Sequence, residues 1–167
     1  RDAQESRGLG DVYKRQIDPA AVQAATAACP RRIYAPTADA TLIALNADTG
    51  EPCTGFGNRG VVDLKMNMGH VVPGFLNPTS PPAIGRRSVI MAASVTDNDS
   101  TDEPSGVIRG FDVDTGRLLW NWDSGQPDRT EPFGPDDVYT RNSPNSWSVS
   151  STVSYTHLRA HETPEHL

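Results

Sequence analysis

The sequence predicts an all-β fold, and more specifically a partial β-propeller of about two four-stranded blades. Turn-forming residues are abundant, with 14 glycines and 14 prolines among 167 residues, and only 36% of the chain is hydrophobic. This composition favours short strands and turns over helices. A strand–turn unit also occurs twice, at 42–52 and again at 108–118. Repetition of such a unit is typical of propellers, whose blades pack face to face.

The repeat consists of "LIALNADTGEP" and "IRGFDVDTGRL". In each copy alternating apolar and polar residues lead into an Asp-Thr-Gly turn, where glycine supplies a positive φ and the Asp and Thr side chains bond the turn's backbone. The second copy continues to Trp120, four residues after Gly116. We expect the two turns to occupy equivalent positions in neighbouring blades, and strands over about 33–37, 42–47, 88–93, 107–113 and 117–122.

The two ends of the chain differ from its middle. Residues 1–16 and 153–167 show no alternation and resemble translated adapter sequence, so we expect a disordered foreign tail at 1–16, a second foreign tail at 153–167, and a propeller fragment over 17–152. His157 and a second histidine four residues later suggest a zinc site, but that pattern needs a Glu directly after the first histidine, and Leu158 stands there. Two repeats do not close a propeller, which indicates a fragment of a larger protein.

Charge and cysteine content exclude several classes of protein. The net charge is −6, and the absence of a basic patch beyond two arginine pairs argues against a nucleic-acid partner. No apolar run is long enough for a transmembrane helix, and no signal peptide is visible. Cys29 and Cys53 are too few for a disulfide scaffold and lack zinc-site spacing. The sequence leaves open whether they form one disulfide or remain two thiols.

Four segments carry a resemblance to a known family: "CPRRIYAPTADATLIALNADTGEPC", "NPTSPPAIGRRSVIMAASVTDNDST", "SGVIRGFDVDTGRLLW" and "NSPNSW". In this order they resemble consecutive parts of the membrane-bound quinoprotein dehydrogenases that act on glucose, quinate or polyols. The resemblance covers residues 29–147, and the run from Gly110 to Trp120 also resembles the tryptophan-docking motif of quinoprotein alcohol dehydrogenases. It implies an eight-bladed propeller, the cofactor pyrroloquinoline quinone (PQQ), and a divalent cation, Ca²⁺ or Mg²⁺.

The resemblance assigns the metal to an acidic stretch that follows a predicted strand. It implies Asp97 as a ligand, with Asn98 beside it, and hard cations require such oxygen ligands. The stretch is not an EF-hand, because the sixth position from Asp97 is Asp102 where glycine is needed, and the twelfth is Ile108 where glutamate is needed. The rest of the acidic run is expected to be a solvated loop. Without the resemblance the whole run would be interpreted in that way.

The resemblance also implies three cofactor-binding residues. Thr79 and Ser94 lie eighteen and three residues before the predicted metal carboxylate, and their hydroxyls are suited to bond the carboxylates of PQQ. Trp147 would provide a flat surface on which the quinone stacks. The structural alternatives are β-propensity, a turn hydroxyl and a core tryptophan, respectively. Trp120 and Trp122 are expected to pack between blades and not to contact the cofactor.

The resemblance implies a periplasmic enzyme, anchored in the inner membrane, that oxidises an aldose such as glucose to its lactone, or a related polyol, and passes electrons to ubiquinone. No catalytic base is identified in this sequence, and the membrane anchor would precede residue 17, so the fragment alone is expected to be inactive. One alternative is a non-catalytic propeller scaffold of outer-membrane protein assembly, which has no reason to retain the site residues. Another is a periplasmic alcohol dehydrogenase, a group that usually has Glu where this chain has Asp97.

Overall fold

The protein is described by a computed structural model for residues 27–96 and 99–152. This part of the chain contains nine short strands in antiparallel sheets, which confirms the all-β prediction. The strands are β1 (Arg32–Thr37), β2 (Thr41–Asn46), β3 (Val61–Asp63), β4 (Leu76–Asn77), β5 (Ala83–Ile84), β6 (Ser88–Met91), β7 (Ser94–Val95), β8 (Ile108–Asp112) and β9 (Leu118–Trp122). Over the same residues, no helix has the length and hydropathy to cross a bilayer.

The first sheet contains three strands in the order β1-β2-β3. Strand β2 runs through its centre and alternates as the sequence predicts, with Leu42 and Ala44 completely buried and their neighbours partly exposed. Alternation arises because successive side chains of a strand point to opposite faces. One face of this sheet therefore belongs to the core.

The second sheet has four strands in the order β5-β6-β8-β9, the number expected of a complete blade. Ser88 of β6 pairs with Asp112 at the end of β8, next to the turn, whereas Met91 pairs with Arg109 at the opposite end. The predicted strand 88–93 is therefore two residues too long. After Met91 the chain leaves this sheet, and Ser94–Val95 pair instead with β4 in a separate two-stranded sheet.

The two Asp-Thr-Gly turns have the same internal hydrogen bonds. The Gly50 N–H donates to the Asn46 carbonyl at 2.8 Å, and the Gly116 N–H donates to the Asp112 carbonyl at 2.9 Å. The side chains of Asn46 and Asp112 each accept the backbone N–H two residues further on. Both glycines have positive φ, +75° and +70°. The two copies of the repeat thus form equivalent turns, as predicted.

The second turn is docked on the first sheet. The Arg32 guanidinium forms an ion pair with Asp114 at 2.5 Å and also donates to the Val113 carbonyl at 2.7 Å. The backbone N–H of Gly57 donates to the Thr115 carbonyl at 2.8 Å. Contacts between the turn of one sheet and the face of the preceding one are what stacked blades require.

A buried arginine makes a second connection between the sheets. Arg109 of β8 is 2% exposed and donates to the Leu64 carbonyl, which follows β3, at 2.7 Å. Its guanidinium lies 5.6 Å from the Phe111 ring centroid and 5.7 Å from that of Tyr139, distances typical of cation–π contacts. Burial lowers the pKa of this guanidinium to about 10. The side chain nevertheless remains charged at neutral pH.

The Trp120 indole packs against a glycine in its own sheet. It pairs with Gly110 across β8 and β9, and a Cβ built at Gly110 would lie 2.2 Å from the indole Nε1. Trp122 is 43% exposed, which leaves its face available to another blade. The assignment of both tryptophans to packing between blades stays a prediction.

The sequence leaves open whether the two cysteines are bonded, and the structure shows that they are. Cys29 and Cys53 form a disulfide with a Cα–Cα distance of 5.6 Å, and both residues are 3% exposed. The bond joins the segment before β1 to the segment after the first turn. It therefore encloses only the first hairpin and its turn.

Candidate cofactor site

Two of the predicted cofactor-binding residues are brought together by the small β4–β7 sheet. Ser94 of β7 pairs with Asn77 of β4, and Thr79 follows Asn77 by two residues. Thr79 is exposed and Ser94 is half-buried. Within the described residues neither side-chain hydroxyl makes a hydrogen bond, so both are free to donate to a ligand.

The third predicted residue, Trp147, reaches the same region through a backbone contact. The hydroxyl of Ser80, the residue after Thr79, donates to the Trp147 carbonyl at 2.6 Å. Trp147 is 65% exposed and is not part of the core, which was the structural alternative. Its indole is therefore available for stacking.

The predicted metal ligands Asp97 and Asn98 lie outside the described residues, so their assignment stays a prediction. Among residues 27–96 and 99–152 there is no group of three or more His, Cys, Asp or Glu side chains that could hold a metal. The acidic run after Asn98 was expected to be a solvated loop, and this is wrong for its second half. Glu103 and Ser105 are buried, with exposures of 4% and 1%.

The second half of the acidic run is buried where a distant asparagine pairs with it. The backbone N–H of Glu103 donates to Asn142 Oδ1 at 2.7 Å, and the backbone N–H of Asn142 donates to the Glu103 carbonyl at 3.1 Å. The Asn142 amide also donates to the Thr101 carbonyl. Asn142 has a positive φ of 54°, a conformation that asparagine adopts more readily than most residues.

Neighbouring residues extend this contact. The hydroxyls of Ser105 and Ser143 are hydrogen-bonded at 3.0 Å, and the Gly106 N–H donates to Ser143 Oγ at 2.9 Å. A Cβ at Gly106 would lie 2.0 Å from the Pro144 carbonyl oxygen, so only glycine fits there. The segment that follows the predicted metal ligands and the segment that leads to Trp147 are therefore packed directly against each other.

A third interaction joins these segments at the surface. Arg141 contacts both the side chain and the carbonyl of Asp102, and it donates to the carbonyls of Met68 and His70 at 2.9 and 3.0 Å. The Asp102 side chain is 75% exposed. A pair exposed to this degree contributes about 0–1 kcal/mol to stability.

A cavity of about 390 Å³ lies between the two segments. Its lining consists of Val95, Ser100, Thr101, Glu103 and residues 142–145. The volume falls within the range of about 300–1,000 Å³ that is typical of small-molecule sites. Val95 adjoins Ser94 in β7, but none of Thr79, Ser94 and Trp147 belongs to the lining of this cavity.

Some groups of the cavity and of its neighbourhood are of the kinds that suit PQQ, a planar quinone with three carboxylates. Hydroxyls and side-chain amides line the cavity and can donate to carboxylates, while the exposed indole of Trp147 offers a planar surface. The amide and carboxylate oxygens of the lining are also of the kind that hard divalent cations bind. Sequence reasoning missed Glu103 and Asn142. The only sequence signal for Asn142 was its position at the start of "NSPNSW".

Comparisons with known proteins identify the family of this chain. The family model described as "PQQ: Glucose/ethanol/alcohol dehydrogenase, beta-propeller domain" matches residues 1–156. The quinoprotein glucose dehydrogenase of Escherichia coli (strain K12) is 52% identical over 123 residues, which are 74% of this chain and 16% of the relative. Quinoprotein glucose dehydrogenase A of Acinetobacter calcoaceticus is 49% identical over 120 residues, 72% of this chain and 15% of the relative.

A relative named for a different substrate is similar over a comparable stretch. The quinate/shikimate dehydrogenase (quinone) of Acinetobacter baylyi (strain ATCC 33305 / BD413 / ADP1) is 42% identical over 135 residues, 80% of this chain and 17% of the relative. The chain thus spans about one sixth of the length of the curated relatives it matches. The match of the family model over nearly the whole chain, together with the all-β fold and its two equivalent turns, shows that this chain belongs to the β-propeller family of PQQ-dependent glucose, ethanol and alcohol dehydrogenases.

Proposed function

We propose that this chain is a segment of a larger PQQ-dependent dehydrogenase that oxidises an aldose such as glucose to its lactone. The observation that carries the proposal is that strand pairing and one hydrogen bond link the neighbourhoods of Thr79, Ser94 and Trp147, although 68 positions separate the first from the last. A non-catalytic propeller would need the turns and the glycine–tryptophan packing, but not unbonded hydroxyls beside an exposed indole.

Each residue has a distinct part in the proposed site. Thr79 and Ser94 would hold carboxylates of PQQ by donating hydrogen bonds, and Trp147 would offer its indole as a stacking surface. Asp97 and Asn98 hold Ca²⁺ or Mg²⁺ through oxygen atoms. PQQ, when bound, supplies the acceptor for the two electrons removed from the substrate. The proton-abstracting base is contributed by another part of the full-length protein.

The proposal extends to the acceptor and the compartment. The full-length protein passes electrons to ubiquinone and is anchored in the inner membrane with its propeller in the periplasm. The Cys29–Cys53 disulfide supports an oxidising compartment, because structural disulfides are rare in the cytosol. The exposed first turn supports a preceding blade, since nothing among the described residues lies within 4 Å of a Cβ built at Gly50, whereas the equivalent Gly116 is in contact with the first sheet.

The test uses the complete protein that contains this segment, referred to below as the parent protein. The apo-protein is reconstituted with PQQ and either Ca²⁺ or Mg²⁺, and dye reduction is measured with glucose, quinate, glycerol and ethanol. We expect PQQ-dependent activity with the highest kcat/KM for glucose. Preference for quinate or glycerol would correct the substrate, and preference for ethanol would favour the alcohol dehydrogenase alternative. Absence of PQQ binding would contradict the proposal.

The metal assignment has a separate test in the same protein. Asp97→Asn keeps the shape and one oxygen but loses the negative charge on which a hard cation depends. We expect the Ca²⁺ concentration for half-maximal PQQ binding to rise by more than about tenfold, because even partners outside the ligand set affect metal affinity by about 10–100-fold. The control is Asp128→Asn, an exposed carboxylate remote in sequence from the predicted ligands. Superimposable Ca²⁺ curves would refute the metal site and leave the dehydrogenase proposal intact.

A further inference from the structure

We infer that this chain by itself associates with second copies of itself, head to tail, through two apolar faces that point away from its core. The first outer face is the side of the first sheet that carries Ile33, Ile43, Leu45 and Val61. The second outer face is the side of the second sheet that carries Ile90, Ile108, Trp120 and Trp122. The second outer face of one copy covers the first outer face of the next. The inference goes beyond the proposed function and does not depend on it.

The first outer face is apolar although it does not belong to the core. Leu42 and Ala44 of β2 point into the core and are completely buried. Ile43 and Leu45 therefore point to the opposite side, where both are half-buried. Strand pairing places Ile33 beside Leu45, and Ile33 is 53% exposed. Because a sheet face in contact with water normally carries polar residues, apolar residues here indicate a face that another surface covers.

The second outer face is also apolar, and it contains two indoles. Pairing of β8 with β9 places Trp122 opposite Ile108. It also places Trp120 opposite Gly110, and Ile90 of β6 pairs with the same glycine from the other side. Trp122 is 43% exposed. Aromatic side chains of this kind are enriched in protein interfaces, because each of them buries a large area.

The internal repeat indicates which surface fits each outer face. When "LIALN" is aligned with "IRGFD", Leu45 of the first repeat corresponds to Phe111 of the second. Leu42 corresponds in the same way to Ile108. Within the chain, Phe111 is completely buried in the core cluster that also contains Leu42. Contact between the two outer faces brings together the same two repeat positions, Leu45 and Ile108, so a second copy can repeat the stacking that the two sheets have within one chain.

The exposed first turn supports the same partner. A Cβ built at Gly116 of the second turn would lie 2.8 Å from the backbone nitrogen of Gly57, because this turn rests on the first sheet. A Cβ built at Gly50 of the first turn meets no atom of the described residues within 4 Å. Both turns have the same internal hydrogen bonds. The first turn therefore has the shape that docking requires, and the second sheet of another copy supplies a surface on which it can rest.

The contact between copies lacks one interaction that the contact within the chain has. Arg32 forms an ion pair with Asp114 of the docked second turn. Ser88 occupies the equivalent place in the second sheet, since it pairs with Asp112 as Arg32 pairs with Asn46. Serine cannot form an ion pair, so association between copies should be weaker than stacking within the chain and should depend on protein concentration. Because the two faces differ, the association can continue into a ring or an open row of copies.

The experiment measures the mass of the oxidised full chain in solution, by light scattering or sedimentation equilibrium, over a range of protein concentrations. We expect the average mass of the unmodified chain to rise above that of one copy as concentration increases. Ile33→Glu places a carboxylate in the first outer face, and Trp122→Glu places one in the second. Each variant should raise the concentration for half-maximal association more than about tenfold, because an unpaired charge is costly to bury and aromatic or central apolar residues dominate interfaces.

A mixture of the two variants distinguishes head-to-tail association from other modes. Ile33→Glu keeps an intact second outer face, and Trp122→Glu keeps an intact first outer face, so an equimolar mixture should form a complex of one copy of each and nothing larger. Val138→Glu is the matched control and should associate like the unmodified chain, because Val138 is 50% exposed and lies outside every strand. Circular dichroism verifies that each variant is folded. Ile33→Ala and Trp122→Ala replace a variant that does not fold and should give the same pattern with a smaller shift.

Four results would each contradict the inference. The first is an unmodified chain that stays monomeric at every concentration. The second is association that neither variant weakens, which would assign it to strand edges or other surfaces. The third is association lost in only one variant, as contact between two identical faces would produce, and the fourth is a mixture that stays monomeric. PQQ binding by the parent protein is a separate measurement, so failure of the proposed function leaves this result unaffected.

Discussion

The packing of Trp120 on Gly110 allows a sharp test of the blade geometry. In Gly110→Ala the new Cβ would lie 2.2 and 2.3 Å from Nε1 and Cε2 of the indole and 2.8 Å from Cζ2. Ordinary van der Waals contact begins near 3.4 Å, so the ring must retreat by about 1.2 Å. The ring is rigid and the two residues are held opposite each other by strand pairing, so the movement has to distort the β8–β9 hairpin.

The expected cost is about 2 kcal/mol. Overpacking by one methyl group typically costs about 1–3 kcal/mol, and the close approach of three ring atoms places this case in the upper part of that range. Replacing glycine also lowers the conformational entropy of the unfolded chain, and this stabilises the protein by about 0.4–1 kcal/mol and offsets part of the cost. With m-values of about 1–3 kcal/mol/M for urea, the unfolding midpoint should fall by about 1 M.

The assay is urea unfolding of the full chain at low protein concentration, followed by tryptophan fluorescence. Gly134→Ala is the matched control, because its Cβ would meet only the flexible Asp137 carboxylate at 3.3 Å. In a double-mutant cycle, Trp120→Ala should abolish the cost of Gly110→Ala, since no ring remains to clash. Equal stability of Gly110→Ala and the unmodified chain, or the same cost in both backgrounds, would refute the packing and the strand register behind it.

Three further predictions concern the Cys29–Cys53 disulfide, the stacking surface of Trp147 and the activity of the isolated chain. Removing the Cys29–Cys53 bond, which joins residues 24 positions apart, by Cys53→Ser should lower the free energy of unfolding by about 3.5 kcal/mol, and adding reductant to the unmodified chain should reproduce that loss; an unchanged urea midpoint would contradict it. In the parent protein Trp147→Ala should raise the PQQ concentration for half-maximal binding about 2- to 13-fold, the equivalent of about 0.5–1.5 kcal/mol of stacking, and no change would remove Trp147 from the site. The isolated chain supplied with PQQ and Ca²⁺ or Mg²⁺ should reduce no dye with glucose, and measurable turnover would show that the catalytic base lies within it.

Much of the fold could be predicted because its signals are local. Alternation identified the central strands, and glycine with its Asp and Thr neighbours identified both turns, where a positive φ is required. Strands β4, β5 and β7 have two residues each, too few for alternation to be visible. The end of β6 at Met91 was missed for a related reason, because the next residues continue the pattern but pair with a different strand.

The site was only partly predictable because its contacts are distant in sequence. Thr79, Ser94 and Trp147 were named by resemblance, but their convergence depends on strand pairing and on one bond between segments 67 positions apart. The burial of Glu103 could not be inferred from an acidic run, since its partner Asn142 lies 39 residues away. The composition of such a run predicts that it is solvated. Whether it is buried depends on whether a later segment of the chain supplies hydrogen-bond partners for it.

The position of the disulfide has a consequence for how the chain would fold on export to the periplasm, the location proposed above. All residues enclosed between Cys29 and Cys53 belong to the first hairpin and its turn, and none belongs to the second sheet. A chain that crosses a membrane from its N-terminal end can therefore close this covalent loop while β5, β6, β8 and β9 are still on the other side. In that case oxidation can precede the stacking of the two sheets, and the second turn would dock on a first hairpin that is already covalently closed.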